Sequence, residues 1–521
     1  MIYKGTVITV DKENSVKKYL VEENGKIVFT GDVLPEKYAG LEVVDLKDGA
    51  LMPAFADTHG HFASFAMFQS AVKLDKAADI GEMLEILKEA DAKTPKRKGF
   101  FCFGATPYVA DGRLINKRDI DAVLSHRAVV IICGDGHTAV LNEKAMSKMP
   151  VELFGINGCD RASGIMRHES FYKVADNVLK VVSPLDGIKA MQGAFDEYAK
   201  QGFGLIAAEC GTGMPADLDV DLLKWIYRGR KNGPQMRFFI QSFDVTKAVK
   251  RNIPRLGGCF ATALDGSVSS NDAAMTEPYN GTGNRGILYY SDAELYEKVK
   301  TVHNAGLSLQ LHAIGDAAVL QAARTFKRVL DEFPQSDCRH GIIHATLVPD
   351  EAMDIIEKYN IQILGQPAFI EADNKFKDAL IQKLGKERYY AAEPHAEFVK
   401  RGIMFSAGSD CPVSFPDGIK SLYWLLNNPI EKHRVGLDDA IRICTYNGYY
   451  STFDEKERGS LERGKTADMI ILNKNPYALP AEKLDGLKVI SAIYNGIEYR
   501  PSKTGIFAAV LKGMFNKNAA L

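Results

Sequence analysis

Polar and apolar positions along the chain fall into three regimes. Over the first fifty residues, the short apolar alternations GTVITV, KKYLVEENGKIVFTG and EVVDLKDGALMPAF are broken by turn pairs at Asn24-Gly25 and Asp48-Gly49, a pattern of short strands joined by tight turns. The far end repeats it in GKTADMIILN and KVISAIYNGIEY, with a turn at Asn495-Gly496. Between the two ends, strongly apolar runs alternate with amphipathic helical patterns. The runs are ALMPAFADTHGH and then 202–210, 236–243, 257–265, 307–313, 339–345, 361–367 and 402–410. Helical periodicity fills 183–201, 291–306 and 315–333, with Ser, Asp or Pro in several first turns, as helix starts prefer.

Eight apolar strands alternating with helices predict an α/β fold, a distorted parallel (β/α)8 TIM-like barrel. The strand-rich ends predict a small β-sandwich domain built from both termini. The expected division is 1–52 with 457–500 for that domain, 53–456 for the barrel, and 501–521 for a helical tail packed on the body. The strand count sets 95–175 aside as an insertion after the first strand. That segment holds two strand-like runs of its own, GFFCFGATP and RAVVIICGDGH, and either one in the barrel would renumber strands two to four. The stretch 262–290, rich in Gly, Ser, Asn and Thr, reads as a lid or as a plain long loop after the fourth strand.

Composition narrows the picture. The 521 residues carry a formal net charge of -1, with 46% hydrophobic and 25% charged residues, an ordinary globular balance. Near-neutral charge gives no reason to expect nucleic acid or an anionic membrane as partner. No run approaches the roughly 18 apolar residues of a membrane span, and the opening MIYKGTVITVDKENS lacks a signal-peptide core. The eight cysteines form no CxxC pair, as expected for reduced thiols and a cytoplasmic location. The expected partner is a small-molecule substrate, with a homo-oligomer left open.

The polar residues that interrupt the apolar strands carry the chemistry. His59 and His61 end the first strand in Asp57-Thr58-His59-Gly60-His61, His312 ends the fifth, His344 the sixth and Asp410 the eighth. Residues two apart on a strand face the same side, and a barrel gathers its strand ends at one mouth. A lone histidine at a strand end is more often a packing or hydrogen-bonding residue than a ligand. Four imidazoles and a carboxylate in this order point instead to a divalent metal, with zinc the best match and one or two ions expected.

These residues sit in segments that resemble amidohydrolase family 3 of the amidohydrolase superfamily, which includes N-substituted formamide deformylase and D-aminoacylase-like enzymes. MPAFADTHGHF resembles the superfamily's His-x-His opening. LQLHAIGDAAV, RHGIIHA, LGQPAF, SAGSDCPV and RGSLERGKTADMIIL resemble later family motifs, and GDGHTAVLN resembles a segment of the family's insertion. The resemblance implies a barrel with a composite β domain, His59 and His61 on one metal, His312 and His344 on a second, and Asp410 as ligand and proton shuttle. One departure stands out. Family members often carry, four residues before an Asp-Gly pair, a lysine that bridges two metals once carboxylated. Here the pair is Asp265-Gly266, the matching position is Ala261, and 256–266 contain no lysine. Ala208-Glu209-Cys210-Gly211 resembles an Asn-Cys-Gly segment of D-aminoacylase in which cysteine is a ligand, so Cys210 and Glu209 are the expected substitutes. Burial as a small apolar side chain is the competing reading of Cys210, and a rim salt bridge that of Glu209.

The expected reaction is hydrolysis of a C–N bond, amide or formamide in type and not a peptide bond, by a metal-bound hydroxide, with Asp410 moving the proton. His137 and Gln366 are candidates for substrate contact, and Asp57 and Asp316 for orienting the imidazoles. Deamination or cyclic-amidine hydrolysis on the same scaffold is the alternative. Ring deaminases typically place a Glu three residues after the fifth-strand histidine, whereas the acid here is Asp316, four after His312. A barrel that has lost its metal and serves as a non-catalytic scaffold is the contrasting class.

Overall fold

The computed structural model describes residues 1–95, 98–134, 138–175, 177–181, 184–212, 215–230, 232–501 and 506–516. Eight parallel strands form the central sheet: β1 (Phe55–Gly60), β2 (Phe203–Cys210), β3 (Gln235–Ile240), β4 (Arg255–Ala263), β5 (Ser308–Ala313), β6 (Gly341–His344), β7 (Gln362–Gly365) and β8 (Phe405–Ala407). They follow one another in space as in sequence. A parallel bridge from Gly60 to Cys411 and the bond from Thr58 Oγ1 to the Ala407 carbonyl (2.9 Å) close β8 onto β1. The eight are the runs expected from the sequence. Their near-continuous burial follows from helices covering the outside of a parallel sheet, and Phe62, Phe195, Phe238, Leu311, Ile342 and Phe405 lie in one continuous core.

GFFCFGATP and RAVVIICGDGH do not join the barrel. Phe100–Ala105 and Val129–Cys133 are parallel neighbours in a separate six-stranded sheet. That sheet begins earlier than the expected insertion, at Val72–Lys73, whose Val72 pairs with Cys102. Its two faces bury separate apolar clusters, one around Val130 and Leu141 and the other around Val129 and Ile131, as the alternation along a strand requires.

Both chain ends meet in one seven-stranded mixed sheet. Val43–Pro53 is its hub, parallel to Ile2–Ile8 and antiparallel to Met469–Leu472. Ala50 and Met52 turn toward the barrel core, while Leu51 joins Val7, Leu20, Met469 and Ile493 on the other face. A bridge from Lys26 to Thr466 brings the far edge strand back toward the start of Met469–Leu472, so the sheet curls over its own core. The tail forms helix Ile506–Phe515, which crosses Leu218–Gly229 at two glycines. A Cβ on Gly513 would lie 1.7 Å from the Trp225 carbonyl, and one on Gly229 would lie 1.9 Å from that of Ala509. Among the described residues, no helix is long and apolar enough to cross a membrane.

Candidate metal centre

The carboxyl ends of β1, β2, β4, β5 and β6, with the turn after β8, bring seven ligand-bearing side chains together. His59 lies at the end of β1 and His61 caps the following helix, Phe62–Gln69. Glu209 rises from β2 and Cys259 from β4; His312 and His344 end β5 and β6. Asp410, in the turn after β8, donates its backbone N–H to the His59 carbonyl at 2.7 Å. Its Oδ1 lies 3.2 Å from His59 Nε2 and 3.3 Å from His61 Nε2. Glu209 approaches the same pair from below, 2.5 Å from His59 Nδ1 and 3.8 Å from His61 Nδ1. Cys259 Sγ is 3.2 Å from His59 Nε2, 3.3 Å from His312 Nδ1 and 3.6 Å from His344 Nε2.

Several of the crowded atoms are left unpaired. His59 Nδ1, both Glu209 carboxylate oxygens and Asp410 Oδ1 are buried and lack an aligned hydrogen-bond partner in the protein. Leaving a buried polar group unmet costs about 1–3 kcal/mol, so four at one point call for an occupant with several bonds to offer. Imidazole, carboxylate and thiol donors at this spacing fit zinc or a similar borderline divalent ion. Ligand atoms of His59, His61, Glu209 and Cys259 all lie within 4.8 Å of one another, as do those of Cys259, His312 and His344, and those of His59, His344 and Asp410.

The electrostatics carry the same demand for positive charge. Burial alone would raise the carboxyls of Glu209 and Asp410, yet His59 holds both below their ordinary range, Asp410 well below. Burial would lower His61, but Asp410, Cys259 and Glu209 together outweigh it and lift the ring to about 10. The burial penalty on His59 is likewise outweighed, first by Glu209 and then by Cys259 and Asp410, so its ring also titrates well above the usual value. Cys259 moves the other way, to about 6, because His59 and His344 together outweigh its burial and the opposing charge of Glu209.

Outer residues hold the donors in place. Asp57 is 1% exposed and accepts from the Ser409 N–H (2.8 Å), Ser409 Oγ (2.6 Å) and Tyr198 Oη (2.7 Å), fixing the turn that carries Asp410. Asp265, met in the sequence only as half of the Asp-Gly pair, accepts from the backbone of Ala274, Ile314 and Gly315 and faces His312 Nε2 at 3.6 Å. Burial raises Asp265 to about 6 against the pull of His312. His344 and Asp410 adopt positive φ, 69° and 51°, a conformation that costs a non-glycine residue about 1–3 kcal/mol and clusters at functional sites.

Several expected residues stand elsewhere. Glu209 and Cys210 are adjacent on a strand and face opposite sides. Glu209 enters the cluster, while Cys210 turns into the apolar core and donates to the Phe239 carbonyl at 3.4 Å, its thiol raised by burial. Gln366 does not line an open wall. Its Oε1 meets His344 Nδ1 at 2.6 Å and its Nε2 donates to the Leu364 carbonyl, so both ends of the amide are engaged. Asp316 accepts from the Thr276 N–H at 2.9 Å, away from the imidazoles. His137 lies outside the described residues. The segment after β4 is pinned rather than free. Arg388 donates to the Glu277 and Pro278 carbonyls, and Ala273, Met275 and Tyr279 share a small core with Leu347 and Leu384.

Comparison with known proteins is consistent with this geometry. A model of the amidohydrolase family matches residues 42–497. The chain is 24% identical to "Putative amidohydrolase YtcJ" of Bacillus subtilis (strain 168) over 94% of its own length and 97% of the relative's. It is 20% identical to the N-substituted formamide deformylase of Arthrobacter pascens, over 97% and 98%. Among solved structures, an uncharacterized metal-dependent hydrolase from Pyrococcus horikoshii OT3 superposes with a TM-score of 0.78 at 21% identity, covering 92% of this chain and 98% of that one.

Proposed function

The chain belongs to the amidohydrolase family, and on that premise we propose that it hydrolyses a C–N bond of amide or formamide type, other than a peptide bond, in a small molecule. The observation that carries this reading is the set of buried, unpaired donor atoms on His59, Glu209 and Asp410 at the barrel mouth. His59, His61, His312, His344 and Asp410 would hold divalent metal, with Glu209 and Cys259 completing the set. A divalent ion there supplies Lewis acidity, bringing the pKa of water from about 15.7 to near 7 and polarising a carbonyl.

The chain's own residues supply the rest. Asp410 is the only carboxylate on the eighth-strand turn that reaches both His59 and His61. Held ionised by them, it is equipped to accept a proton from water and return it to a leaving nitrogen. Phe260 stands half-exposed over the cluster, edge-on to His61 at 5.7 Å, and offers an apolar surface to the acyl or amine group. Asp316 is spent on Thr276, so the acid nearest to the ring-deaminase position is not free for proton transfer there, which favours the amide reading over deamination.

The test is release of amine from a panel of N-formyl and N-acyl amines by zinc-loaded protein. Turnover should vanish on chelation, return with zinc, and be lost in Asp410→Asn. Metal-loaded protein that deaminates ring substrates and releases no amine from the panel would overturn the reading.

A further inference from the structure

We propose that Cys259 is a shared metal ligand whose thiolate joins two adjoining subsites, one on His59 and His61 and the other on His312 and His344. The inference rests on the reading above that this cluster holds divalent metal, and it assigns the bridge that the missing fourth-strand lysine leaves unfilled.

The geometry centres on one sulfur atom. Nitrogens of His59, His312 and His344 stand 3.2, 3.3 and 3.6 Å from Sγ. A thiol has a single proton and cannot satisfy three imidazoles as a donor. Ligands on a common tetrahedral zinc, with bonds of about 2.3 Å to sulfur and about 2.0–2.1 Å to nitrogen, lie roughly 3.5 Å apart, close to all three separations. Among the described residues, Cys259 alone falls both in the group with His59 and His61 and in the group with His312 and His344. Glu209 belongs only to the first of these.

The backbone is built to deliver that sulfur. Gly257 and Gly258, at φ 147° and 139°, take conformations that other residues resist. A Cβ on Gly258 would come within 2.5 Å of Glu209 Oε2 and 2.4 Å of Gln241 Cγ, so the strand can lie this close to the cluster only as glycine. The register of β4 against β5 then breaks between Gly258 and Ala263. The bulge lifts Cys259 over the mouth, where its N–H donates to Gln241 Oε1 at 3.0 Å. Bulges of this kind re-aim side chains beside active sites. The same bulge leaves Ala261, which stands at the position matched to the family's bridging lysine, exposed to solvent. A thiolate between two cations supplies the single shared negative charge that a carboxylated lysine would have provided. On binding, the S–H proton leaves to solvent, and one sulfur lone pair is directed to each ion.

The full-length chain reconstituted with cobalt(II) provides the test, read by metal analysis and by near-ultraviolet absorption. Wild-type protein should bind two ions per chain and show a sulfur-to-cobalt charge-transfer band, a readout that needs no variant. Cys259→Ser should fall to one ion or fewer and lose the band, while Cys210→Ser should keep both. Two ions without the band, two ions retained in Cys259→Ser, or a single ion with the band would each overturn the shared thiolate and leave the hydrolase reading intact. Rapid alkylation of Cys259 in the metal-loaded protein, without change in metal content, would also overturn it and make the thiol a free nucleophile. Wild-type protein that binds no metal would overturn this inference together with the function it rests on.

Discussion

Two histidine clusters in this barrel share residue types and differ in what their ring nitrogens meet. His340 and His344 lie four residues apart on the path of β6. His340 pairs with His303 in a closed relay. The Leu309 N–H donates to His340 Nδ1 at 3.1 Å, His340 Nε2 meets His303 Nδ1 at 2.9 Å, and His303 Nε2 meets the Phe333 carbonyl at 2.7 Å. One proton per ring satisfies every nitrogen, so both rings are content neutral, and nearby Cys338 adds a sulfur without creating a demand for metal. Burial, and then His303, hold His340 down to about 3. At the other end of the strand, His344 is oriented by Gln366 behind it, and its free nitrogen joins a crowd of anionic donors. Counting histidines does not separate the two clusters; accounting for each ring nitrogen does.

That contrast is open to attack at several strengths. The largest effect is expected at the mouth: Asp410→Asn should lower kcat by about 10²–10⁴-fold, the range for a lost general acid–base. His303→Gln should lower the melting temperature and leave metal content unchanged. Removing metal comes next. An ion present at 100 to 1,000 times its Kd stabilises a fold by about 2.7–4.1 kcal/mol, so chelation should lower the wild-type unfolding free energy by at least about that much and should cost His59→Asn less. Gln366→Leu is subtler. Loss of the partner that fixes His344 should weaken metal binding by about 10–100-fold, measured by competition with a chromophoric chelator.

The smallest effect belongs to the relay and appears in pH dependence. The folded-state value of about 3 for His340 lies below its ordinary 6.5, so between those values the unfolded chain binds a proton that the folded chain refuses. Stability therefore falls as pH drops below about 6.5. In chelated protein, His340→Leu should flatten the slope of unfolding free energy against pH between 6.5 and 4.5 by up to about 1.4 kcal/mol per pH unit. An unchanged slope would mean that His340 is not held neutral.

Much of this is legible in the sequence. The barrel strands announce themselves because a strand buried on both faces must be apolar along its length, and a polar residue at its carboxyl end then stands out. Val72–Lys73 was too short and too mixed to register, so the insertion was expected to begin later than its sheet does. On β2, strand alternation lets only one of Glu209 and Cys210 face the mouth, and the cost of burying a carboxylate in an apolar layer ranks Glu209 first. Cys259 had no such signal. It lies in Gly-Gly-Cys-Phe-Ala-Thr-Ala, and counting back from Asp265 assumes a regular strand; the bulge after Gly258 breaks that count and moves the decisive side chain off the expected position. Asp265 was hidden for a related reason, since its role depends on backbone N–H groups contributed by segments far along the chain.

Metal binding should belong to the cluster at the barrel mouth and not to the His303–His340 relay. Metal content per chain, measured on zinc-reconstituted wild type, His59→Asn and His303→Gln, tests it most directly. Bound zinc is expected in the wild type, retained in His303→Gln and depleted in His59→Asn. A wild type without zinc, or zinc lost from His303→Gln and kept by His59→Asn, would contradict it.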